Sequence, residues 1–371
     1  MKKYLIVLQI FITAFAFANK DFSYQDLSGK DFSNQDLTGA NFEGANLTNV
    51  SFNGANLTKA NFSVEFPSEV SIFSLENADF TNSIIKGASF VALSEYNQTF
   101  PFSEKKCSLT LEQLYSTASY KNNDLGGNGT TLTTFMSQHF SNANFEGMNL
   151  KNVNFMHCEF TNAKFDNAII NGAYFYGSNF TSEQLYSTLS YKNKDLSNIY
   201  LTRFYEDYST LDLSQQNLQN SVLYLQKNII FSDTIFENTE LFQCEISLKK
   251  SSIILNIKDS NTPAIRITGG ESSYFNRSDG KLIINLTDEF VLNDKEINVM
   301  SWDDGTTITG FYKLVKGENL ILKQNGLEFN DDFWTFEVRS GGLYISIPEP
   351  SAYAVVIGAI MLAFAVYRRR K

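Results

Sequence analysis

Large apolar residues recur at every fifth position along two long stretches of this chain. The first series is Phe22, Leu27, Phe32, Leu37, Phe42, Leu47, Phe52, Leu57 and Phe62. The second series is Phe140, Phe145, Leu150, Phe155, Phe160, Phe165, Ile170, Phe175 and Phe180. Five residues advance about 140° around an α-helix, and an odd step changes face in a β-strand. The chain must therefore turn once per five residues for these side chains to share one interior.

The residues around each apolar centre also repeat. Two positions before it the side chain is often alanine, as at Ala40 and Ala45, and the residue immediately before it is commonly Asp or Asn. This unit resembles the pentapeptide-repeat family over roughly residues 20–248, with predicted inserts at 63–77 and 91–137. The resemblance implies an all-β fold, a right-handed quadrilateral β-helix with four units per coil. Residues twenty apart then stack, so that phenylalanines form columns on two sides of the coil and leucines fill the other two.

A second duplication lies between the repeat blocks. The stretch LEQLYSTASYKNNDL, residues 111–125, recurs as SEQLYSTLSYKNKDL, residues 182–196. In both copies a threonine, Thr110 or Thr181, stands three residues before a glutamine, which is the spacing of a capping box. We predict a short helix from each threonine to the SYKN sequence, the second over residues 181–193. Such a helix either patches a break in the solenoid, which we favour, or forms a knob that binds a partner.

The five-residue period is absent between residues 251 and 347. Runs such as SIILNI, KLIINL and EINVMSW alternate apolar with polar residues and are separated by Gly, Asp, Asn and Ser. They predict a small β-rich domain, either antiparallel or solenoid-like, that closes the open end of the β-helix and protects its strand edges. The acidic sequence SWDDGT at Ser301–Thr306 is interpreted as a hairpin turn rather than a cation site.

The N-terminus has the pattern of a secretory signal peptide. Two lysines precede an apolar run, and Ala16 and Ala18 complete a small-x-small cleavage sequence. We predict that residues 1–18 are removed after Ala18. An uncleaved membrane anchor is the alternative interpretation.

The C-terminus has a second targeting pattern over residues 348–371. An uncharged run at 352–367 would span about 24 Å as a helix, against about 30 Å for a hydrocarbon core. The flanking residues are Pro348, Glu349 and Pro350 on one side and Arg368, Arg369 and Arg370 on the other. This order resembles the PEP-CTERM sorting signal, which implies a transmembrane helix and processing by the membrane peptidase exosortase. A plain tail anchor is the alternative.

No constellation in the sequence predicts catalysis, a metal site or a cofactor. Glycosidases need two carboxylates about 5–9 Å apart, whereas the first four aspartates step by five, one per side of a coil. These are Asp21, Asp26, Asp31 and Asp36. Cys107, Cys158 and Cys244 lie far apart without metal-type spacing, and the last two are expected to be small buried residues. His139 and His157 likewise have no metal-type context.

These patterns predict an exported structural or interaction protein. It passes through the inner membrane and then resides in the cell envelope, at the surface or outside the cell. The expected partners are signal peptidase, exosortase, the inner membrane and extracellular polysaccharide. A formal net charge of -10 without a basic stripe argues against nucleic acid. Two alternatives stay open: an acidic DNA mimic that binds DNA gyrase, as some pentapeptide-repeat proteins do, and a β-helical polysaccharide-active enzyme.

Overall fold

The computed structural model consists of two compact units. Its described residues are 20–63, 73–91, 108–127, 131–202, 211–224, 229–242, 245–248, 253–257, 263–268, 274–277, 282–286, 296–302, 307–309, 320–324, 327–328, 334–339 and 341–346. Within them, the first unit runs from 20 to 193 and from 199 to 202. The second unit contains 194–198 and the residues from 211 onward.

Short helices and strands account for the regular structure. The helices are α1 (Leu111–Ser116), α2 (Ala118–Lys121), α3 (Ser182–Ser187) and α4 (Leu189–Lys192). The strands are β1 (Thr133–Thr134), β2 (Val153–Asn154), β3 (Tyr200–Thr202), β4 (Leu211–Asp212), β5 (Val222–Tyr224), β6 (Ile229–Ile230), β7 (Thr234–Phe236), β8 (Thr239–Phe242), β9 (Glu245–Leu248), β10 (Ile253–Ile257), β11 (Ile265–Thr268), β12 (Tyr274–Arg277), β13 (Leu282–Leu286), β14 (Glu296–Trp302), β15 (Thr307–Thr309), β16 (Leu320–Gln324), β17 (Leu327–Glu328), β18 (Thr335–Arg339) and β19 (Gly342–Ser346).

The first unit is a four-sided β-solenoid. Its sides are so short that each appears as a single parallel bridge to the next coil. The first coil makes four such bridges, Asp21↔Asn41, Asp26↔Asn46, Asp31↔Ser51 and Asp36↔Asn56. Backbone hydrogen bonds run between coils on each side, for example from Phe22 N to Asn41 O at 2.7 Å and from Asn41 N to Lys20 O at 2.8 Å. Five residues therefore make one side.

Phenylalanine rings form the predicted columns inside the solenoid. Phe22, Phe42 and Phe62 stack at 5.1 Å between successive ring centroids, with interplanar angles of 10° and 9°. Phe32 and Phe52 stack at 5.7 Å in a second column, and the two columns meet edge to face, as between Phe42 and Phe52 at 5.3 Å. The structure buries all eighteen residues of the two five-residue series except Phe22 and Phe32 in the first coil, which are half-buried.

Each corner is a tight turn that needs a positive φ two residues after the apolar centre. The centre carbonyl accepts from the amide three residues on, as from Ala55 N to Phe52 O at 2.9 Å. Between them Gly54 has φ +69°, and Asn34 occupies the equivalent position one coil earlier with φ +58°. Glycine and asparagine tolerate this left-handed conformation best, which explains their recurrence at this position of the repeat.

Both inserts end earlier than the sequence predicted. Leu75 is buried and Ser74 bridges to Asn46, so the first insert is shorter than 63–77. Phe135 is buried and stacks at 5.8 Å on Phe90, so the coil resumes before the end of 91–137. The repeat places a small residue two positions before each apolar centre. Phe73 occupies that position before Leu75, and Thr133 occupies it before Phe135. These residues depart from the repeat unit, which hid both coil segments.

The duplicated segment forms two helices per copy, not the single helix predicted. Thr117 ends α1 and Thr188 ends α3 in an extended conformation, with ψ of 151° and 152°. The same threonine side chains then cap α2 and α4 by accepting from Tyr120 N and Tyr191 N. One threonine therefore both ends a helix and starts the next.

The second unit is a parallel solenoid with three sheets. Two of them have the strand orders β17-β16-β13-β10-β7 and β15-β12-β9-β6-β4, and within this unit the third runs β18-β19-β14-β11-β8-β5. The pairing of β7 with β10 and of β10 with β13 is parallel. Of the two predicted arrangements for residues 251–347, the solenoid-like one is therefore observed, and it starts before residue 251.

Antiparallel pairing is confined, among the described residues, to the end of this unit. There β17 pairs with β16, and β18 and β19 form a hairpin whose second strand pairs with β14. Gly341 has φ +85° in the two-residue connection of that hairpin, a conformation that only glycine adopts readily. The hairpin covers the edge of β14.

Both predicted targeting segments, 1–18 and 348–371, lie outside the described residues. Within the described part of the chain, no helix has the length and apolar character needed to cross a membrane.

Replacing Phe155 by Asp is expected to abolish the cooperative unfolding transition of the first unit. Phe155 is fully buried and lies 5.9 Å from Phe135 and 5.6 Å from Phe175 in ring-centroid distance, so an unpaired carboxylate would be buried between rings. The control Phe155→Leu should keep a cooperative transition, because leucine fills the same position on another side at Leu150. Thermal melting followed by circular dichroism measures both, and an unchanged melt for Phe155→Asp would contradict the inward assignment.

Candidate functional site

The outside of the first unit is lined by ladders of polar side chains. The Asp21 carboxylate accepts from Ser23 N at 3.1 Å and from Asn41 Nδ2 at 3.2 Å. Asn61 Nδ2 then donates to Asn41 Oδ1 at 3.0 Å, so the ladder continues to the third coil. Each ladder side chain forms a hydrogen bond within its own turn and another to the neighbouring coil. This explains why Asp and Asn occupy this position.

The Asn-x-Ser/Thr sequences of the repeat arise from these ladders. The amide nitrogens of Asn46, Asn56 and Asn61 each donate to the side chain of the preceding coil. Asn46 Oδ1 also accepts from Thr48 N at 3.1 Å, so the residue two positions on belongs to the same turn. The ladder therefore accounts for these sequences without sugar attachment.

The first four aspartates do not gather into a catalytic pair. The pKa values of Asp21, Asp26 and Asp31 are lowered mainly by hydrogen bonds from the serine two residues on. Hydrogen bonds from Thr38 lower the pKa of Asp36 in the same way. Each aspartate therefore belongs to its own turn. Across the described ranges, no group of three or more His, Cys, Asp or Glu residues could hold a metal ion.

The two histidines and the described cysteine have structural neighbours. His139 Nδ1 lies 3.1 Å from Glu159 Oε2. Burial raises the pKa of Glu159, but hydrogen bonds from His139, Ser141 and Thr161 outweigh it, and the net pKa is lowered. Burial lowers the pKa of His157 and strongly raises that of Cys158, whose thiol donates to Phe135 O at 2.6 Å. Cys107 and Cys244 lie outside the described residues.

The two helical segments are joined to the solenoid by the same side chains in both copies. Gln113 closes a capping box with Thr110, and its Nε2 donates to Leu75 O and Ala78 O at 2.8 and 3.0 Å. Gln184 closes the equivalent box, and its Nε2 donates to the Phe160 and Ala163 carbonyls, both at 2.9 Å. The capping box was predicted, whereas the second use of each glutamine amide was not.

Other shared residues of the duplication replace missing strand contacts. The Ser119 and Ser190 hydroxyls accept from Ile85 N and Ile170 N at 3.0 and 2.9 Å. Leu114 and Leu185 are fully buried in the core. The helices therefore substitute for one side of a coil, as the favoured interpretation of the duplication stated.

Two tyrosines complete this replacement in the first copy. Tyr115 Oη accepts from Asn144 N at 2.9 Å, and Tyr120 Oη donates to Asn144 O at 2.6 Å. Burial, with Tyr115 as a second cause, raises the pKa of Tyr120 to about 12. In the second copy Tyr186 and Tyr191 pair at 4.8 Å, close to the 4.5 Å of the first pair. The tyrosines therefore belong to the helical segments that replace one side of a coil.

One region of the outer surface departs from the polar ladder. Parallel bridges join Asn154 to Tyr174 and Tyr174 to Tyr200, so tyrosine replaces asparagine in this column. The rings of Tyr174 and Tyr200 stack at 5.5 Å, and Tyr176 meets Tyr200 at 6.1 Å and His157 at 5.5 Å, both edge to face. We call Tyr174, Tyr176, Tyr200 and His157 the tyrosine patch.

The tyrosine patch faces solvent. Tyr176 is 38% exposed, and the other three members are half-buried. Sequence reasoning missed the patch because two of its tyrosines occupy the position of the ladder residue and one follows the apolar centre. The available signal was this replacement of Asn by Tyr in successive coils at 174 and 200.

Comparison with known proteins agrees with the coil geometry. A model of pentapeptide repeats matches eight copies over residues 26–63 and 139–181. These two blocks are pentapeptide repeats. The repeat pattern itself extends beyond them, since Phe80, Ile85 and Phe90 are buried in intervening coils.

Comparison with solved structures gives weak overall likenesses. HetL, a pentapeptide-repeat protein involved in heterocyst differentiation regulation from the cyanobacterium Nostoc sp. strain PCC 7120, is 14% identical with a TM-score of 0.17, over 80% of this chain and 98% of its own. Full-length QnrB1, a plasmid-mediated fluoroquinolone resistance protein, is 13% identical with a TM-score of 0.18, over 78% and 93%. TM-scores this low carry no argument about function. No curated protein matches the chain significantly.

The sequence-predicted sorting and cleavage residues lie outside the described part of the chain. These are Ala16, Ala18, Pro348, Glu349, Pro350, Arg368, Arg369 and Arg370.

Replacing Gln184 by Met is expected to lower the free energy of unfolding by about 1–3 kcal/mol, because two inter-coil hydrogen bonds and half of a capping box are lost. The neighbouring exposed change Glu183→Gln is the control and should stay within about 0.5 kcal/mol. Chemical denaturation monitored by circular dichroism gives both values. Equal stability of the two variants would instead favour the partner-binding knob.

Proposed function

We propose that this protein is a non-catalytic interaction protein that is exported and held or released at the cell envelope. The secretory pattern at residues 1–18 and the sorting pattern at 348–371 support export, processing by signal peptidase and exosortase, and passage through the inner membrane. Among the described residues, no group of three or more His, Cys, Asp or Glu side chains could hold a metal ion, which supports a role without metal-dependent catalysis. The matched family model describes repeats and no catalytic activity.

The tyrosine patch is the observation that carries a binding role. In the ladders described above, side chains such as Asn41 and Asn61 bond to one another, whereas here the ladder positions hold the aromatic rings of Tyr174 and Tyr200. Tyrosine supplies large contact area at low entropic cost together with a polar group. Such a surface suits a partner that offers both C–H faces and hydroxyl groups.

An uncharged extracellular polysaccharide fits this surface best. The patch contains no Asp, Glu, Lys or Arg, and burial lowers the pKa of His157, which favours its neutral form. The chain as a whole carries a net charge of -10, which disfavours polyanions. Sugar rings can pack on the tyrosines while their hydroxyls bond to phenols and to Asn154.

Intact mass tests the export part of the proposal. Native protein from envelope and culture-medium fractions is expected to lack residues 1–18 and the segment beyond Pro350. Replacing Pro348, Glu349 and Pro350 together by alanine should block the second cleavage and leave the first. A full-length cytosolic species, found both for the wild-type protein and for the triple alanine variant, would contradict export. Gyrase inhibition would then become the next assay.

Affinity electrophoresis tests the binding part. Retardation in gels that contain dextran or soluble cellulose derivatives is expected for the wild type and is expected to be lost in Tyr176→Ala. Tyr24→Ala is the matched control, because Tyr24 is 61% exposed on a distant coil and hydrogen-bonds to Glu43. Equal retardation of both variants, or preferential retardation by the anionic polymer alginate, would overturn the assignment of the patch.

A further inference from the structure

The terminal hairpin protects one strand edge and creates another. β19 pairs with β14, so the edge of β14 is covered, but among the described residues β18 is then the last strand of its sheet. Four of its five residues are exposed, including Val338 at 42%. An edge strand presents backbone groups that can pair with another strand.

The charges on β18 have a particular order. Glu337 and Arg339 lie on either side of Val338, and both are exposed. Arg339 Nη2 lies 2.7 Å from Glu337 Oε2 and 2.8 Å from Glu296 Oε2, and the guanidinium stands 5.0 Å from the centre of the Tyr344 ring. These contacts hold the two charged groups in place at the edge.

A two-fold axis through Val338 would bring opposite charges together. In an antiparallel pair of β18 strands centred there, Glu337 lies opposite Arg339 of a second copy, and the reverse holds at the other end. Val338 then meets its own copy, which removes an exposed apolar side chain from water. A parallel pair would instead place like charges opposite each other, which destabilises cross-strand pairs.

We propose that β18 is a homodimerisation edge that pairs antiparallel with β18 of a second copy of this chain, centred on Val338. The interface forms an isologous contact, in which the same strand serves both copies. Five residues per copy are fewer than the roughly 20–30 per side of a standard interface. The dimer is therefore weak and depends on protein concentration.

Charge exchange tests the register. The full chain, purified in a mild detergent, is followed by sedimentation velocity across a concentration series. Glu337→Arg alone and Arg339→Glu alone should each weaken dimerisation about tenfold, because two attractive cross-strand pairs become repulsive. An equimolar mixture of the two variants should dimerise like the wild type, since each then meets the opposite charge. Melting curves check that both variants remain folded.

Cysteine cross-linking tests the position of the axis. Cα atoms opposite each other in an antiparallel pair are about 4.5–5.5 Å apart, within disulfide reach. Val338→Cys should therefore give an oxidised dimer on a non-reducing gel. Thr335→Cys is the control, because its own copy lies about 20 Å away in this register. Three results would overturn the proposal. They are a wild-type chain that stays monomeric, a dimer affinity that neither charge substitution changes, and cross-linking of Thr335→Cys without cross-linking of Val338→Cys.

Discussion

Stacking of residues twenty apart is the constraint on which the first unit depends. Coils can lie one strand spacing apart only if each side hydrogen-bonds to the next and each inward side chain meets its equivalent one coil away. The phenylalanine column satisfies this, with centroid distances between 4.8 and 5.9 Å from Phe42 to Phe155. Because a coil is so narrow, the column fills the interior, and only small residues fit beside it at the corners.

The column persists across interruptions of the repeat. Phe62 and Phe90 are separated by 28 residues, and Phe90 and Phe135 by 45, yet both pairs stack. The core column is therefore continuous across both interruptions. The duplicated helices show how a side can be replaced. A leucine fills the core, a serine hydroxyl replaces a strand carbonyl, and a glutamine amide bonds to two carbonyls of the coil before.

The surface follows from the same geometry. Every column of the core has an outer column one residue before it, and in the first coils Asp and Asn fill much of it with mutual hydrogen bonds. Tyr174 and Tyr200 break that rule on the outside of the first unit, and the Glu337–Val338–Arg339 order distinguishes the edge of the second. The two surfaces serve different proposed contacts, one with a polysaccharide and one with a second copy.

The sequence by itself determined the five-residue side, the inward residues and the capping boxes, because these depend on local spacing and turn chemistry. It also predicted the β-rich nature of residues 251–347. Only the tertiary structure decided where the inserts rejoin the coil, since Phe73 and Thr133 occupy positions that the repeat gives to small residues. It alone showed that Tyr115 and Tyr120 bond to Asn144, and that Tyr174 meets Tyr200. Those contacts join residues 20 to 30 positions apart, and their partners are set by how coils stack rather than by any pattern along the chain.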